Sequence, residues 1–269
     1  VSYPFLKGHG TENDFVVLPD PDGSLHGYVD GEMPAERVRA LCDRRAGLGG
    51  DGVLRAVRRD GGWFMDYRNA DGSVSEMCGN GIRVFARYLH DHQGEAFPMR
   101  IQTRDGVKVL DRSAHGDGRD LTADMGAPEV LGDTKVSVGD RAWPAQHVSM
   151  GNPHAVAFVD DLADAGHLLE PPGHDASVYP DGVNVEFVVR RGEHHVAMRV
   201  HERGSGETRS CGTGACAVAV AASLADGAPR GTTYRVDVPG GTLHVEWTED
   251  DRVLLTGPAV LVAEGTTDL

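Results

Sequence analysis

Hydrophobic positions along the chain follow two kinds of pattern. Short β-branched runs recur at Phe15 to Leu18, Val53 to Val57, Val107 to Leu110, Val183 to Val189, Val196 to Val200, Tyr234 to Val238 and Thr242 to Trp247. Gly-Gly, Asp-Gly and Pro-Gly steps separate them, the punctuation of strands joined by tight turns. Helical signals are fewer. After Cys78-Gly79-Asn80-Gly81, the residues Ile82, Phe85 and Leu89 form one stripe at three-to-four spacing. After Cys211-Gly212-Thr213-Gly214, the run A-C-A-V-A-V-A-A-S-L-A is dominated by Ala, the strongest helix former. A further helix-like segment, A-E-R-V-R-A-L-C, ends at Cys42. The pattern predicts an α+β protein in which Cys78 and Cys211 each sit in a glycine-rich loop at a helix N-terminus.

These two loops belong to a weak internal repeat. Superimposing Cys78 on Cys211 aligns Cys-Gly-x-Gly and places Ala86 on Ala219. Asp51-Gly52-Val53 precedes the first cysteine and Asp181-Gly182-Val183 the second. Earlier still stand H-G-T-E-N-D-F, ending at Phe15, and G-N-P-H, ending at His154. The landmarks recur in the same order, which predicts two similar halves, each a sheet wrapped around one cysteine-capped helix. Residues 1–118 are expected to form the half that carries Cys78, and 119–256 the half that carries Cys211. The boundary falls at the G-D-G-R stretch ending at Arg119, and the tail 257–269 is able to return to the first half.

Composition narrows the function classes. With 40% hydrophobic and 25% charged residues over 269 positions, the chain is an ordinary globular one. A formal net charge of −15 argues against nucleic acid or an anionic membrane as partner, because both reward clustered Lys and Arg. No apolar run approaches the roughly 20 residues of a membrane helix. Val1 to Leu6 shows no charged segment leading into an apolar one, so the cytoplasm is the expected location. In that reducing setting Cys42, Cys78, Cys211 and Cys216 are expected to be free, and no C-x-x-C spacing points to a metal. Lys7, Lys108 and Lys135 are the only lysines, which leaves little material for a pyridoxal Schiff base.

A thiol at a helix N-terminus faces unpaired backbone N–H groups and the positive end of the dipole, so a lowered pKa is expected for both thiols. The same N–H groups bind carboxylate. Two such sites gripping one substrate suit racemisation, in which a thiolate removes the α-proton and the opposite thiol returns one with inverted configuration. Each sulfur must come within about 3–3.5 Å of the carbon, so the two lie about 7 Å apart. Two negative charges at that distance repel by ~2.4 kcal/mol at an effective dielectric of 20, which favours one thiolate and one thiol. Gly79, Asn80, Gly212 and Thr213 can supply donors to the developing carbanion. Cys42 and Cys216 read as small core residues. Asn69, Asn152 and Asn184 lie in turn-like segments where Asn commonly serves the turn, and His154 also reads as a loop histidine. Residue type alone marks nothing special about Glu202, Arg203 or Glu207.

The motifs K-G-H-G-T-E-N-D-F, D-R-R-A-G-L-G-G-D-G, R-N-A-D-G-S, E-M-C-G-N-G-I-R, G-N-P-H-A, D-G-V-N-V-E-F and E-R-G-S-G-E-T-R-S-C-G-T-G-A run from Lys7 to Ala215. Together they resemble the diaminopimelate epimerases. The resemblance implies two pseudo-symmetric domains, each a β-barrel-like sheet around a central helix. It also implies a two-base mechanism without pyridoxal phosphate, metal or other cofactor, and usually a homodimer. The implied reaction converts LL-2,6-diaminoheptanedioate to the meso form for lysine and peptidoglycan synthesis. By resemblance Cys78 and Cys211 are the acid–base pair, with His154 and Glu202 tuning the thiols. Asn13, Asn69, Asn152, Asn184 and Arg203 match substrate contacts, with backbone donors at Gly79, Asn80, Gly212 and Thr213. Two positions depart from the pattern: Glu12 stands where many members have a small or neutral residue, and Gly52 where some have a substrate-touching Gln. A proline-type racemase shares paired cysteines but needs no distal Arg and Asn cluster. A redox switch using Cys78 and Cys211 is the reading outside enzymology.

Overall fold

The computed structural model describes residues 2–24, 33–113 and 119–269. The chain separates into two compact units, one of residues up to Ala123 together with Gly257–Leu269 and the other Asp124–Thr256. Of the expected boundary stretch, residues 116–118 lie outside the described residues.

The first unit runs β1 (Tyr3–Gly10), β2 (Asn13–Pro19), α1 (Ala35–Cys42), β3 (Gly52–Arg59), β4 (Gly62–Asn69), α2 (Gly79–Gln93), β5 (Met99–Thr103), β6 (Gly106–Arg112) and β7 (Asp120–Asp124). The second runs β8 (Glu129–Val138), β9 (Arg141–Ser149), β10 (Pro153–Phe158), a 3-10 turn at Leu162–Ala165, β11 (Gly173–His174), β12 (Asn184–Gly192), β13 (His195–Glu202), β14 (Gly206–Thr208), α3 (Gly212–Asp226), β15 (Thr233–Val238), β16 (Gly241–Trp247) and β17 (Val253–Pro258). The last strand, β18 (Val260–Thr267), lies antiparallel to β1 with Tyr3 opposite Thr267.

Strand pairing exposes the repeat in three dimensions. The first unit is ordered β18-β1-β2-β3-β4-β5-β6-β7, parallel at β2–β3 and at β4–β5 and antiparallel elsewhere. The second is ordered β8-β9-β10-β12-β13-β15-β16-β17, parallel at β10–β12 and at β13–β15 and antiparallel elsewhere. Order and direction therefore match strand for strand. The long helix enters at the same place in each, between β4 and β5 and between β13 and β15.

Each long helix is enclosed by its own sheet. α2 packs on β1, β2, β3 and β18, and α3 packs on β9, β10, β12, β15 and β16. Gly212 through Ser223 is buried almost without interruption, which only small side chains permit at the axis of a wrapped sheet. Both helices stop at a left-handed glycine, Gly94 at φ 71° and Gly227 at φ 60°. The α+β class and the sheet around a central helix follow the sequence pattern. Cys42 packs in a core with Tyr3, Val16, Leu18, Val38, Leu41 and Val53, and burial pushes its thiol up to about 12. Cys216 is fully buried within α3. Among the described residues no helix is long and apolar enough to cross a membrane.

Candidate active site

Cys78 is the N-cap of α2 and Cys211 the N-cap of α3, both with extended backbone. Each sulfur accepts the N–H three residues on, from Gly81 at 3.4 Å and from Gly214 at 3.4 Å. Gly79 and Asn80, and likewise Gly212 and Thr213, form the first turn, where N–H groups lack intrahelical acceptors. The two cysteines thus occupy equivalent positions in the repeat.

Around Cys78 the partners are amides. The thiol donates to Asn13 Oδ1 at 3.6 Å, and Asn80 Nδ2 donates to the same oxygen at 3.3 Å. Asn13 Nδ2 in turn donates to Asp51 Oδ2 at 2.8 Å. Asp51 is held by Arg44 at 2.6 Å, and Arg44 also pairs with Asp14 at 2.7 Å. Burial alone would raise the Asp14 carboxyl, but Arg44 and Lys7 outweigh it and hold Asp14 well below the usual carboxylate range. Arg83, fully buried, donates to Gly79 O at 3.0 Å and to Asn80 Oδ1 at 2.8 Å, so it fixes the helix entrance from below. Asp51 and Arg83 were not singled out by residue type, although both stand inside the quoted motifs. Lys7 is tied to Asp14 at 2.5 Å and to Gly49 O.

Around Cys211 the partners are ionisable. His154 lies within β10 rather than in a loop, with no exposed surface. Its Nδ1 lies 2.7 Å from Glu186 Oε1, and its Nε2 lies 3.0 Å from Asn152 Oδ1. Asn152 Nδ2 donates to Thr213 Oγ1 at 3.4 Å, and that hydroxyl lies 3.5 Å from Cys211 Sγ. Glu202, at the end of β13, accepts from Thr208 Oγ1 and lies near the Cys211 thiol. Burial raises the Glu202 carboxyl despite the pull of both. Burial, followed by the nearby Glu202 and Glu186 carboxylates, pushes Cys211 well above an ordinary thiol. This corrects the expectation of a lowered pKa at Cys211. The helix end contributes only about 0.3–2 kcal/mol, whereas enclosure and two carboxyl groups act in the opposite direction.

The remaining candidates are placed as follows. Asn184 bridges within its unit, donating to Pro153 O at 3.2 Å and accepting from Arg203 N at 2.9 Å. The Arg203 side chain is exposed, and its Nη1 reaches Asp181 O at 3.3 Å. Asn69 Nδ2 donates to Ser73 Oγ at 3.0 Å inside a turn. Asn69 ends β4 as Glu202 ends β13, so an amide stands in the first unit where a carboxyl stands in the second. Glu12 is exposed in the β1–β2 turn at φ 62°. At Gly52 a Cβ would come 2.5 Å from Arg68 O, so no side chain fits there and a Gln contact has no counterpart. Glu186 was missed as a functional residue; its signal was the strict alternation V-N-V-E-F, which puts Asn184 and Glu186 on one face of β12. Among the described residues no group of three His, Cys, Asp or Glu side chains is arranged to hold a metal ion.

The fold is shared with solved structures that include a phenazine biosynthesis protein and an epimerase. A phenazine biosynthesis protein of the PhzF family from Bacillus anthracis superposes with a TM-score of 0.72 at 14% identity, covering 100% of both chains. A hydroxyproline epimerase from Agrobacterium vitis superposes with a TM-score of 0.68 at 15% identity, covering 99% of this chain and 92% of that one. Sequence relationships are more specific. The family model for diaminopimelate epimerase matches residues 5–131 and 146–262. The diaminopimelate epimerase of Streptomyces coelicolor is 58% identical, over 98% of this chain and 95% of its own length. That of Acidothermus cellulolyticus is 45% identical, over 99% and 96% respectively. The chain belongs to the diaminopimelate epimerase family.

Proposed function

We infer that the protein interconverts LL- and meso-2,6-diaminoheptanedioate, an isomerase reaction in lysine and peptidoglycan precursor synthesis. One observation carries this reading: two strand-for-strand equivalent units each present a cysteine as the N-cap of a buried helix, in a chain that belongs to this family. Cys78 and Cys211 are the acid–base pair. One removes the α-proton as thiolate while the other delivers a proton to the opposite face. First-turn N–H groups at Gly79, Asn80, Gly212 and Thr213 receive the α-carboxylate and stabilise the enediolate-like carbanion. His154 and Glu202 tune Cys211. Asn13, Asn69, Asn152, Asn184 and Arg203 form the polar surround, with the Arg203 guanidinium matched to the distal carboxylate. No resident cofactor or metal enters this cycle. We place the enzyme in the cytoplasm as a homodimer.

The test is α-proton exchange in deuterium oxide with purified protein. Exchange into LL- and meso-diaminopimelate, with none into lysine or proline, supports the assignment. Comparable exchange into proline overturns the substrate and favours the proline-racemase reading. No exchange into any of them leaves the thiol pair as a redox switch. Light scattering on the eluted protein tests the dimer.

A further inference from the structure

Beneath the first turn of each long helix the two units differ. Gly81 and Gly214 are equivalent, each three residues after its cysteine. A Cβ on Gly81 would meet Leu54 Cδ2 at 3.2 Å and Phe15 Cζ at 3.4 Å. A Cβ on Gly214 would meet Glu186 Oε1 at 2.7 Å and Cys211 Sγ at 3.3 Å. Strand register agrees: Phe15 lies beside Gly52 and His154 beside Asn184, which makes Leu54 and Glu186 counterparts two residues further on. The first thiol therefore stands over an apolar pair, Phe15 and Leu54, and the second over His154 and Glu186.

An apolar pair is thus sterically possible at this position in the fold, and a buried polar pair is seldom the more stable choice. What the polar pair adds is a continuous chain to sulfur. It runs Glu186 Oε1, His154 Nδ1, His154 Nε2, Asn152 Oδ1, Asn152 Nδ2, Thr213 Oγ1, Cys211 Sγ, with steps of 2.7, 3.0, 3.4 and 3.5 Å. The direction of this chain depends on where its protons sit. His154 and Glu186 have no exposed surface, and among the described residues Glu186 Oε2 has no hydrogen-bond partner. A net negative charge on such a pair is disfavoured, so it holds two protons. Whether the inner one lies on Nδ1 or on the carboxyl, Nε2 keeps its hydrogen. Nε2–H then donates to Asn152 Oδ1, the amide N–H donates to Thr213, and the hydroxyl is left to donate to Cys211. Without a proton on Nε2 the amide turns over, and the Thr213 hydroxyl is consumed by its oxygen.

We propose that Glu186 is a positioning residue: with His154 it forms a net-neutral buried pair that keeps a proton on Nε2, orients the Asn152 amide, and so directs the Thr213 hydroxyl onto the Cys211 sulfur. The proposal rests on the reading of Cys211 as an acid–base group. Groups facing this sulfur are Glu202 from β13, Glu186 from β12 and Thr213 from its own helix, with His154 on β10 behind them. The upward push of burial on Glu186 agrees with a retained proton.

Two measurements test it. The first uses the unaltered, nitrogen-15-labelled protein without substrate, and reads the two-bond proton–nitrogen correlations of the His154 ring. A hydrogen-bearing Nε2 at neutral pH is the expected result. A bare Nε2 there overturns the proposal, whatever the substrate proves to be. The second is a double-mutant cycle read as kcat and KM for α-proton exchange. Glu186→Leu and Thr213→Val are each expected to lower kcat about 10²-fold, the scale of a mispositioned acid–base group, with KM within a few-fold. Glu186→Gln, whose amide N–H replaces the carboxyl proton toward Nδ1, is expected to restore most of the rate. The double variant E186L/T213V is expected to lose no more than either single one. Multiplying losses, or a Gln variant as impaired as Leu, would mean that Glu186 acts by packing and would overturn the proposal.

Discussion

Adding one methyl group to either equivalent glycine separates the two halves of the repeat. In Gly214→Ala the new carbon would lie 2.7 Å from Glu186 Oε1, closer than side-chain carbons come to any heavy atom, and 3.2 Å from Cys211 Cβ. Glu186 is fully buried and bonded to His154 at 2.7 Å, so it has little room to yield. The strain falls on the helix entrance that carries Cys211. In Gly81→Ala the tightest contact is 3.2 Å, to the end of the Leu54 side chain. That methyl can turn aside.

Replacing Gly by Ala in a helix gains at most ~1 kcal/mol, while overpacking a close-packed site costs ~1–3 kcal/mol. Gly81→Ala is therefore expected to fall within about 1 kcal/mol of the parent, because gain and strain nearly cancel. Gly214→Ala is expected to lose up to about 2 kcal/mol. Activity should separate the two further. A displacement of about 1 Å at a reacting group costs on the order of 10²-fold, so Gly214→Ala should lose at least that in exchange rate while Gly81→Ala stays within a few-fold. Thermal unfolding and α-proton exchange on the two variants measure both quantities. If Gly214→Ala matched Gly81→Ala in rate, the close approach of Glu186 to the Cys211 turn would have no catalytic meaning.

Other expectations follow from the same geometry. Cys78→Ala and Cys211→Ala should each abolish epimerisation with the circular dichroism spectrum unchanged, whereas Cys42→Ala and Cys216→Ala should cost stability alone; wild-type turnover in Cys78→Ala would refute the two-base cycle. Iodoacetamide at neutral pH should label Cys78, which is half-buried, well before Cys211, which is buried, raised by enclosure and faced by Glu202 and Glu186; peptide mapping reads the order, and prior labelling of Cys211 would contradict it. Asp66 is buried among Arg104 at 2.6 Å, Arg68 at 3.0 Å and Arg55 at 3.5 Å. Removing it as Asp66→Ala takes the buried carboxylate from Arg104 and Arg68, while Arg55 keeps Asp20 at 2.7 Å, and should cost ~3–5 kcal/mol in urea unfolding near neutral pH. Burial raises the Asp66 carboxyl, but Arg104 and Arg68 bring it below its ordinary value. Its contribution is therefore present above the unfolded carboxylate pKa of about 3.9 and fades as pH falls through the lowered folded value; a variant gap that stayed constant down to about pH 2 would contradict this.

The elements legible in the sequence were those whose signal is local. Gly-Gly, Asp-Gly and Pro-Gly steps set off the runs that form β2, β3, β6, β12, β13, β15 and β16, and Cys-Gly-x-Gly followed by a helical run announced both α2 and α3. Strands with exposed faces were harder to see: β8, reading E-V-L-G-D-T-K-V-S-V, is exposed over most of its length and carries a weak hydrophobic alternation. Neither the first strand nor the last was read as a strand, although the tail was read as able to return to the first half; β18 is mostly exposed, and its pairing with β1 joins residues far apart in sequence. Site residues followed the same rule. The two N-cap cysteines were readable because the glycines that admit their sulfurs are adjacent in sequence. Glu186 and Arg83 were not, because a lone charged letter inside an apolar run carries no sign of what it faces. His154 was ambiguous for a related reason: Pro153 beside it suggests a loop, whereas β10 begins at that proline and buries the ring. The sign of the Cys211 shift was unreadable because it depends on enclosure and on carboxyl groups from β12 and β13.

The divergence of the two units bears on how a reversible two-base enzyme divides its labour. A single thiol environment used twice would leave the first proton transfer equally ready at either face of the substrate carbon. Here the surroundings of Cys78 include the Asn13 amide, whose oxygen accepts from the thiol and from Asn80 Nδ2. Those of Cys211 are a directed chain and the Glu202 carboxyl, which hold the resting group as a thiol and its proton in a defined place. In the proposed cycle such surroundings suit Cys211 as the group that donates its proton. Turnover in that direction leaves Cys211 ionised beside Glu202. That state is disfavoured by like charge and by enclosure, but the Thr213 hydroxyl is already aimed at the sulfur and lowers its cost. The reverse direction begins from this second state. The two directions therefore make different demands on the same hydrogen-bond chain, and Thr213→Val should slow the direction in which Cys211 abstracts more than the one in which it donates. In single-turnover exchange, started separately from each isomer, the two rate losses should be unequal. Their ratio must be matched by an opposite change in affinity for the two isomers, because the overall equilibrium is unaffected by the enzyme. Equal losses from both isomers with unchanged affinities would show that the chain does not distinguish the two states of the sulfur.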